Sequence, residues 1–261
     1  RFVTKVLPRF GITHTFVDFT DLQAVRAAVT PETKLLYIET PSNPMLGITD
    51  IASIVNIAKE VGALTFLDNT FMTPIHQRPL DLGVDVVIHS ATKFLSGHSD
   101  IVAGLVVTKD PTLSEQVYFI QNSFGSCLGV QDSFTLIQNM KTTAVRFNES
   151  ARVASVLATF LDNHPLVEKV YYPGLASHPG ADIHARQSTS AGAVLSFSLP
   201  SYDVAKVFVE AMQIPVFAVS LGGVESILSY PAKMSHAAME PEERAKRGIT
   251  DGLLRFSVGL E

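Results

Sequence analysis

The sequence has one cysteine, no tryptophan and no long run of apolar or basic residues among its 261 residues. The lone Cys127 cannot form an internal disulfide or a multi-cysteine metal site, which predicts a buried thiol in a reducing compartment, the cytoplasm. No apolar stretch has the length of a membrane span, so we expect no membrane partner. The net charge of −5, with no cluster of lysine and arginine, argues against nucleic acid as a partner.

Three common signatures of cofactor or nucleophile sites are also missing. No G-x-G-x-x-G follows a strand and no G-x-x-x-x-G-K-[ST] is present, so neither a dinucleotide site nor a P-loop is indicated. The absence of G-x-S-x-G removes the simplest serine hydrolase. His178 and His184 are near neighbours, but their spacing does not fit a zinc-binding helix. We predict that both are solvated loop residues and that the protein holds no metal.

Short apolar strands alternate with amphipathic helices between residue 13 and about residue 108, a pattern typical of an α/β sheet. Asp21 and Asp50 are placed to cap two helices, and Gly62 is placed to end the second. The strands are too apolar to be half exposed, so we expect a mostly parallel sheet covered on both faces. The predicted strands are THTFVDF, KLLYIE, ALTFLD, DVVIHS and IVAGLVV.

The second half of the sequence has a different organisation. The apolar spacing is helical from Gly129 to about Leu161, as one helix or as two with a break near Lys141 to Thr143. Further strands are predicted in HPLVEKVYYPG, GAVLSFSL, VFAVSL and LLRFSVG, with a helix in YDVAKVFVEAM. We therefore predict a large α/β domain over residues 1–150 and a smaller α+β domain over residues 151–261.

Two strand ends carry the clearest chemistry. LTFLDNTF places Asp68 at the end of one strand, and DVVIHSATK places Ser90, Thr92 and Lys93 at the end of another. Ligands of open α/β sheets bind at the carboxyl ends of strands, so these side chains are expected to share a pocket. A lysine amine forms a Schiff base with an aldehyde, and a buried carboxylate keeps a heteroaromatic nitrogen protonated, which is the pairing that pyridoxal phosphate requires. Taken singly, a solvated lysine and a helix-capping aspartate explain the same residues.

Five stretches of the sequence together resemble the Cys/Met-metabolism family of pyridoxal-phosphate enzymes, which includes the cystathionine lyases, cystathionine γ-synthase and methionine γ-lyase. The stretches are DVVIHSATKFLSGHSDIVAG, YIETPSNP, LDNTF, SLGGVES and LLRFSVGLE. The resemblance implies the α/β large domain of pyridoxal-phosphate fold type I, followed by a smaller C-terminal α+β domain that binds substrate.

The resemblance implies roles around the cofactor for four residues. Lys93 would attach the cofactor covalently and would also move protons on the substrate. Asp68 would pair with the pyridine nitrogen of the cofactor. Ser90 and Thr92 would bind its phosphate through their hydroxyl groups.

Four residues would bind the substrate by the same resemblance. Arg255 would hold the substrate α-carboxylate in a bidentate pair. Asn43 would face the cofactor or this carboxylate, although an asparagine before a proline is also a common turn residue. Ser220 would line the substrate site beside two glycines that allow close backbone approach. Glu225 would contact the distal part of the substrate, unless it is a solvated surface residue.

Members of this family are longer than the chain. Their N-terminal part supplies a tyrosine stacked on the cofactor, a glycine-led phosphate site and residues from a neighbouring subunit, and the sequence contains none of these segments. We therefore expect that both ends are cut from a longer protein. The shared site of the family implies a homo-oligomer, a tetramer built as a dimer of dimers.

The stretches SLGGVESILSYPAKMSHAAM and RGITDGLLRFSVGLE look most like bacterial members that cleave cystathionine. This predicts a carbon–sulfur lyase that acts by β- or γ-elimination in methionine and cysteine metabolism. Cystathionine γ-synthase or O-acylhomoserine sulfhydrylase is the close alternative. Two further alternatives remain: a catalytically silent chain with this fold, and an aminotransferase.

Overall fold

The computed structural model of the protein describes residues 2–234, 237 and 239–261. Three residues of the SLGGVESILSYPAKMSHAAM stretch, Ser235, His236 and Ala238, lie outside the described residues. The strands are β1 Leu35–Glu39, β2 Leu64–Asp68, β3 Val86–Ser90, β4 Gly104–Thr108, β5 Lys169–Tyr171, β6 Val194–Ser198, β7 Val216–Phe217, β8 Ile227–Ser229 and β9 Leu253–Ser257. The α-helices are α1 Phe2–Lys5, α2 Leu22–Ala28, α3 Ile51–Glu60, α4 Thr73–His76, α5 Pro111–Phe124, α6 Val130–Met140, α7 Thr143–Asp162, α8 Ala181–Gln187, α9 Tyr202–Ala211 and α10 Pro241–Lys246.

The first sheet has the strand order β1-β2-β3-β4, with β1, β2 and β3 parallel and β4 antiparallel to β3. The side chain of Asp21 accepts hydrogen bonds from the backbone at the start of α2, and that of Asp50 does so at the start of α3. Gly62 follows α3 with a φ of 69°, in the left-handed region where glycine is unstrained. The predicted caps and the predicted end of α3 are therefore confirmed.

One face of this sheet forms a core and the other remains partly open. Ile51, Ile54 and Val55 of α3 pack against strand residues such as Ile38 and Leu67 in one buried cluster. Each fully buried side chain of this size contributes about 1.5–3 kcal/mol relative to its exposed state. The opposite face carries apolar side chains that are about half exposed. These are Leu35 at 43%, Tyr37 at 51% and Val106 at 49%. The predicted cover on both faces is therefore wrong for the described residues.

The second sheet has the strand order β5-β6-β9-β8-β7. It is antiparallel except for the parallel pair β7 and β8. Strands β6 and β9 are buried along their whole length, since helices α7 and α9 contribute residues to the same core. The α/β sheet followed by a largely antiparallel sheet agrees with the predicted fold class.

A separate buried cluster joins the two sheets. It combines Phe71 and Phe94, which follow strands of the first sheet, with Phe147 of α7 and Val194 of β6. The rings of Phe94 and Phe147 meet edge to face with centroids 4.7 Å apart. The break between α6 and α7 lies where the sequence predicts it. The predicted domain boundary at residue 150 falls within α7 and stays a prediction.

Three local predictions from the sequence are wrong. The THTFVDF stretch forms no strand, because no strand within the described residues pairs with it and most of its own residues are exposed. Cys127 is exposed, since it lies in the turn between α5 and α6. His178 and His184 are buried at 5% and 2% exposure. Each places its Nε2 atom 2.8 Å from a backbone carbonyl oxygen, that of Leu46 and that of Ser190 respectively.

Within the described residues, no helix combines the length and the apolar character that crossing a bilayer requires. The described residues also contain no group of three or more histidine, cysteine, aspartate or glutamate side chains suited to a metal ion.

The buried histidines predict an acid-sensitive fold. Burial lowers the pKa of His178 and of His184. The unfolded chain, with histidine pKa values of about 6.5, then binds protons more readily than the folded protein. This contribution to stability is present above about pH 6.5 and is lost as the pH falls through the lowered pKa values of the folded state. We expect the free energy of unfolding of a variant with His178→Gln and His184→Gln to fall less between pH 7.5 and pH 5.5 than that of the wild type.

Urea denaturation at several pH values measures this dependence. The other titrating groups are common to both proteins and cancel in the difference of slopes. His14→Gln, at an exposed position, is the matched control for the loss of a histidine outside the core. Equal slopes for the double variant and the wild type would contradict the prediction.

Candidate active site

Three parallel strands end at the same edge of the first sheet and carry the functional groups there. β1 ends at Glu39, β2 at Asp68 and β3 at Ser90. Lys93 follows β3 in a tight turn, in which its backbone N–H donates to the carbonyl of Ser90 at 3.1 Å and Gly97 N–H donates to the carbonyl of Lys93 at 2.7 Å. The strand ends therefore place Asp68 and the turn that carries Lys93 at the same edge of the sheet, where ligands of open α/β sheets bind.

The amine of Lys93 is held by the second half of the chain. Its Nζ donates to the Oγ of Ser220 at 2.7 Å. Burial, and then the positive charge of Arg255, lower the pKa of Lys93. Both effects disfavour the ammonium form, so a larger fraction of the amine is neutral and nucleophilic than for an exposed lysine.

Arg255 reaches the same place from the middle of β9. Its Nη1 donates to the Oδ1 of Asn43 at 2.9 Å, and its Nη2 donates to the backbone carbonyl of Ser220 at 2.6 Å. The side chain is buried, its Nε has no hydrogen-bond partner, and no carboxylate in the described part of the chain forms an ion pair with it. Burial lowers the pKa of Arg255 to about 10, and the charge of Glu39 opposes this effect.

The segment from Ser220 to Val224 connects the two halves of the site. Ser220 has a φ of 93°, a left-handed conformation that is strained for a residue with a side chain. Gly222 packs so closely that a Cβ atom there would lie 2.7 Å from the backbone nitrogen of Phe94. Val224 N–H donates to the carbonyl of Gly97 at 2.8 Å. These contacts fix the segment against the turn that carries Lys93.

Thr70 is a residue of the site that the sequence analysis missed. Its backbone N–H donates to the Oδ1 of Asp68 at 2.9 Å, and its Oγ1 accepts from the backbone N–H of Ser90 at 2.8 Å. It thereby fixes the carboxylate and couples the ends of β2 and β3. Its place two residues after the aspartate, where a backbone N–H can turn back to the carboxylate, is the signal that could have identified it.

Glu39 is a second residue that the sequence analysis did not select. It pairs with Asp68 in the register of β1 and β2, so both side chains lie on one face of the sheet. Burial, and then the charge of Asp68, raise the pKa of Glu39 to about 7, whereas the N–H of Asn43 and the charge of Arg255 oppose the rise. Glu39 is nevertheless exposed to solvent as a residue.

Two predicted site residues are not drawn into this group of contacts. The Thr92 Oγ1 donates to the carbonyl of Ala103 at 3.2 Å and accepts from its N–H at 2.9 Å. The hydroxyl therefore ties the turn over residues 90–97, called the lysine turn below, to the segment before β4. Glu225 is exposed, and within the described residues no hydrogen bond joins it to Lys93, Ser220 or Arg255. The assignments of both residues stay predictions.

The whole chain, residues 1–261, matches the sequence profile of the family described as Cys/Met metabolism PLP-dependent enzyme. The chain belongs to this family. Among curated relatives, a cystathionine β-lyase of Bacillus subtilis is 63% identical over 261 residues, which are 100% of this chain and 67% of the relative. A cystathionine γ-lyase of the same organism is 48% identical over 100% of this chain and 69% of its own length.

Solved structures of this family agree with the fold. The crystal structure of cystathionine γ-lyase from Lactobacillus plantarum complexed with L-serine has a TM-score of 0.96 and 46% identity, and the match covers 100% of this chain and 68% of that one. The structure of cystathionine γ-synthase from Xanthomonas oryzae pv. oryzae in complex with aminoacrylate and cysteine has a TM-score of 0.96 and 42% identity, covering 99% and 67%. The predicted family and the predicted α/β fold of type I are confirmed.

The residues present fit pyridoxal phosphate. The amine of Lys93 is driven toward its neutral form, as attachment to an aldehyde requires, and Asp68 is held at a strand end by Thr70. The unpartnered Nε of the buried Arg255 supplies a free donor for an anion in the same place.

The lowered pKa of Lys93 predicts its reactivity in cofactor-free protein. Acetic anhydride reacts with neutral amines, so we expect the labelling of Lys93 to reach half its maximum at a lower pH than that of the exposed Lys59. In Arg255→Met the midpoint for Lys93 should rise, because a positive neighbour is removed. Mass spectrometry of the two peptides measures both midpoints, and a Lys93 midpoint that is the same in the wild type and in Arg255→Met would contradict the electrostatic role of Arg255.

Proposed function

We propose that this chain is the catalytic part of a pyridoxal-phosphate-dependent carbon–sulfur lyase that cleaves cystathionine, chiefly by β-elimination. The family match supports the cofactor, and the relatives named cystathionine β-lyase and γ-lyase support the reaction class predicted from the sequence. The 63% identity to the β-lyase is the basis for the preference between the two eliminations.

The observation that carries the proposal is the meeting of Lys93 and Arg255 at Ser220. Ser220 accepts from the lysine amine through its side chain and from the guanidinium through its backbone. A buried guanidinium without a carboxylate partner is costly, and an anionic substrate group that pairs with it offsets this cost. The site is therefore suited to an amino acid whose α-carboxylate binds Arg255 and whose Cα lies within reach of Lys93.

When bound, pyridoxal phosphate supplies an electron sink that stabilises negative charge at the Cα of the substrate. Asp68 would hold the pyridine nitrogen of the cofactor, and Ser90 and Thr92 would hold its phosphate. Thr92 would have to rotate its hydroxyl away from Ala103 to donate to that phosphate.

Lys93 moves the protons of the reaction in this proposal. Its neutral amine, favoured by burial and by Arg255, accepts the proton from the substrate Cα. The ammonium group so formed lies beside the Ser220 hydroxyl and is placed to return a proton to the departing thiolate. Arg255 and Asn43 orient the substrate through its carboxylate, so the Cα–H bond faces the lysine.

A product assay tests the proposed function. With cystathionine alone, we expect the holoenzyme to release homocysteine and pyruvate in excess of cysteine and 2-oxobutyrate. Lys93→Ala should lose the activity, because no other group within the contacts described can take the Cα proton. Formation of cystathionine from acylated homoserine and cysteine, with little cleavage of cystathionine, would instead identify a γ-synthase.

Arg255 provides a second prediction. Arg255→Lys keeps a charge but cannot form the two-pronged contact with a carboxylate. We expect the KM for cystathionine to rise about 10-fold to 100-fold, from the roughly 1.5–3 kcal/mol of a hydrogen bond to a charged group. Steady-state kinetics measures the change, with Arg247→Lys as the control, since Arg247 is exposed and pairs with Glu243. An unchanged KM would show that the carboxylate binds elsewhere.

The remaining predictions concern the oligomeric state and the cellular location of the protein. The site shared between subunits in the family supports a homo-oligomer, a tetramer built as a dimer of dimers. The single cysteine in the sequence supports a cytoplasmic location. Both stay predictions.

A further inference from the structure

Arg146, in the first turn of α7, is a buried cation whose role differs from that of Arg255. Its side chain is 8% exposed, and the described residues place no carboxylate within ion-pair distance of it. Burial lowers its pKa. A charge in this position requires another source of compensation, and the structure supplies it through carbonyl and hydroxyl oxygens.

The oxygens that accept hydrogen bonds from Arg146, and so compensate its buried charge, belong largely to the turn after Lys93. Nη1 donates to the carbonyl of Phe94 at 2.9 Å, and Nη2 donates to the carbonyl of Leu95 at 3.2 Å. Nη2 also donates to the carbonyl of Asn139 at the end of α6, at 3.0 Å. The guanidinium therefore binds the backbone on both sides, the lysine turn on one and the junction of α6 and α7 on the other.

The lysine turn needs such a partner. Gly97 N–H bonds back to the carbonyl of Lys93, which closes a single helical turn, and the next two carbonyls are left without an intrahelical donor. Cationic side chains stabilise carbonyls at this end of a helical segment. Arg146 satisfies the carbonyls of Phe94 and Leu95 at once, which a lysine ammonium cannot do with the same planar geometry.

The absence of a side chain at Gly97 leaves room for the guanidinium of Arg146. Gly97 has a φ of 77°, and a Cβ atom there would collide with the Nη1 of Arg146. Two neighbours of the guanidinium reinforce the contact. Thr143 Oγ1 donates to the carbonyl of Leu95 at 3.1 Å, and Thr142 Oγ1 accepts from the Nε of Arg146 at 3.0 Å.

We propose that Arg146 is a positioning residue for Lys93, which fixes the direction of the lysine side chain by holding the two carbonyls that follow it. The proposal rests on the function proposed for Lys93. Arg146 acts through the backbone, whereas Arg255 acts on the amine by charge and is itself held by Asn43 and Ser220. Loosening the turn should therefore slow proton transfer by Lys93 and leave substrate binding at Arg255 intact.

Arg146→Lys in the holoenzyme tests the proposal. We expect kcat to fall about 10-fold or more, because displacement of a reacting group by about 1 Å costs up to about 100-fold, while KM changes little. The visible circular dichroism of the bound cofactor should also weaken, since it reports how rigidly the cofactor and its lysine are oriented. Arg152→Lys is the matched control, an exposed arginine on the same helix that pairs with Glu149.

A stability control separates positioning from a general loss of stability. Val170→Ala removes buried volume in the second core, away from the lysine turn, and lowers the thermal midpoint. The proposal requires that Arg146→Lys reduce kcat and the visible circular dichroism beyond any change in Val170→Ala. If both variants show the same kcat and the same spectrum, Arg146 is structural only and the proposal is overturned.

Thr142→Val is the second variant, for the case in which Arg146→Lys does not fold. It removes the acceptor of Arg146 Nε and the hydrogen bond from Thr142 Oγ1 to the carbonyl of Asn139, and it leaves the bonds of Arg146 to Phe94 and Leu95. The fall in kcat and the weaker circular dichroism should therefore appear at smaller size. Wild-type kinetics and spectrum in this variant would also contradict the proposal.

Borohydride reduction of the wild type, followed by mass spectrometry, reports the function of the lysine separately. Absence of cofactor mass on Lys93 would contradict the proposed function itself. If the cofactor is attached to Lys93 and both Arg146→Lys and Thr142→Val keep the wild-type kcat and circular dichroism, only the role proposed for Arg146 is contradicted.

Discussion

The close approach of the segment around Gly222 to the backbone of Lys93 and Phe94 is the contact on which the site depends. The lysine belongs to the first sheet and Arg255 to the second, so their meeting requires that the two sheets come together at one place. A side chain at position 222 would collide with the nitrogen of Phe94. The absence of a Cβ atom there, and the hydrogen bond from Val224 to Gly97, allow Ser220 to contact both functional groups. Glycine at this position is therefore required for the meeting of Lys93 and Arg255 at Ser220 and not only for the turn.

The site contains an excess of buried positive charge that backbone and neutral oxygens compensate. Arg255 donates to Asn43 and to a carbonyl, while its Nε is left without a partner among the described residues, and Arg146 donates to carbonyls and hydroxyls. A carboxylate paired with Arg255 would neutralise its guanidinium group and would compete with the substrate anion that we propose it binds. The two carboxyl groups of the site, Glu39 and Asp68, lie instead side by side on the sheet, where the charge of Asp68 disfavours the ionisation of Glu39.

Periodicity and motif predicted the parts of the protein that local sequence controls. The capped helix α3, the parallel strands and the positions of Asp68 and Lys93 at their ends follow from apolar spacing and from the chemistry of strand ends. Long-range contacts could not be predicted in this way. THTFVDF has the composition of a strand but no strand among the described residues to pair with, and His178 is buried because the carbonyl of Leu46, far away in sequence, accepts its ring N–H. Arg146 and Thr70 act through contacts with backbone carbonyl and N–H groups. The residue types in the sequence do not show which side chain contacts which backbone group.

Helix α7 connects the turn that follows Lys93 to the core of the second sheet. At 20 residues it is about 30 Å long, and it touches the lysine turn through Arg146 near its start and the core of the second sheet through Ala158 and Leu161 near its end. In between, Ser150 donates to the carbonyl of Gly259, just beyond the strand that carries Arg255. One rigid helix therefore contacts both the turn that follows Lys93 and the segment that follows the strand of Arg255, and it fixes the separation of these two parts of the site.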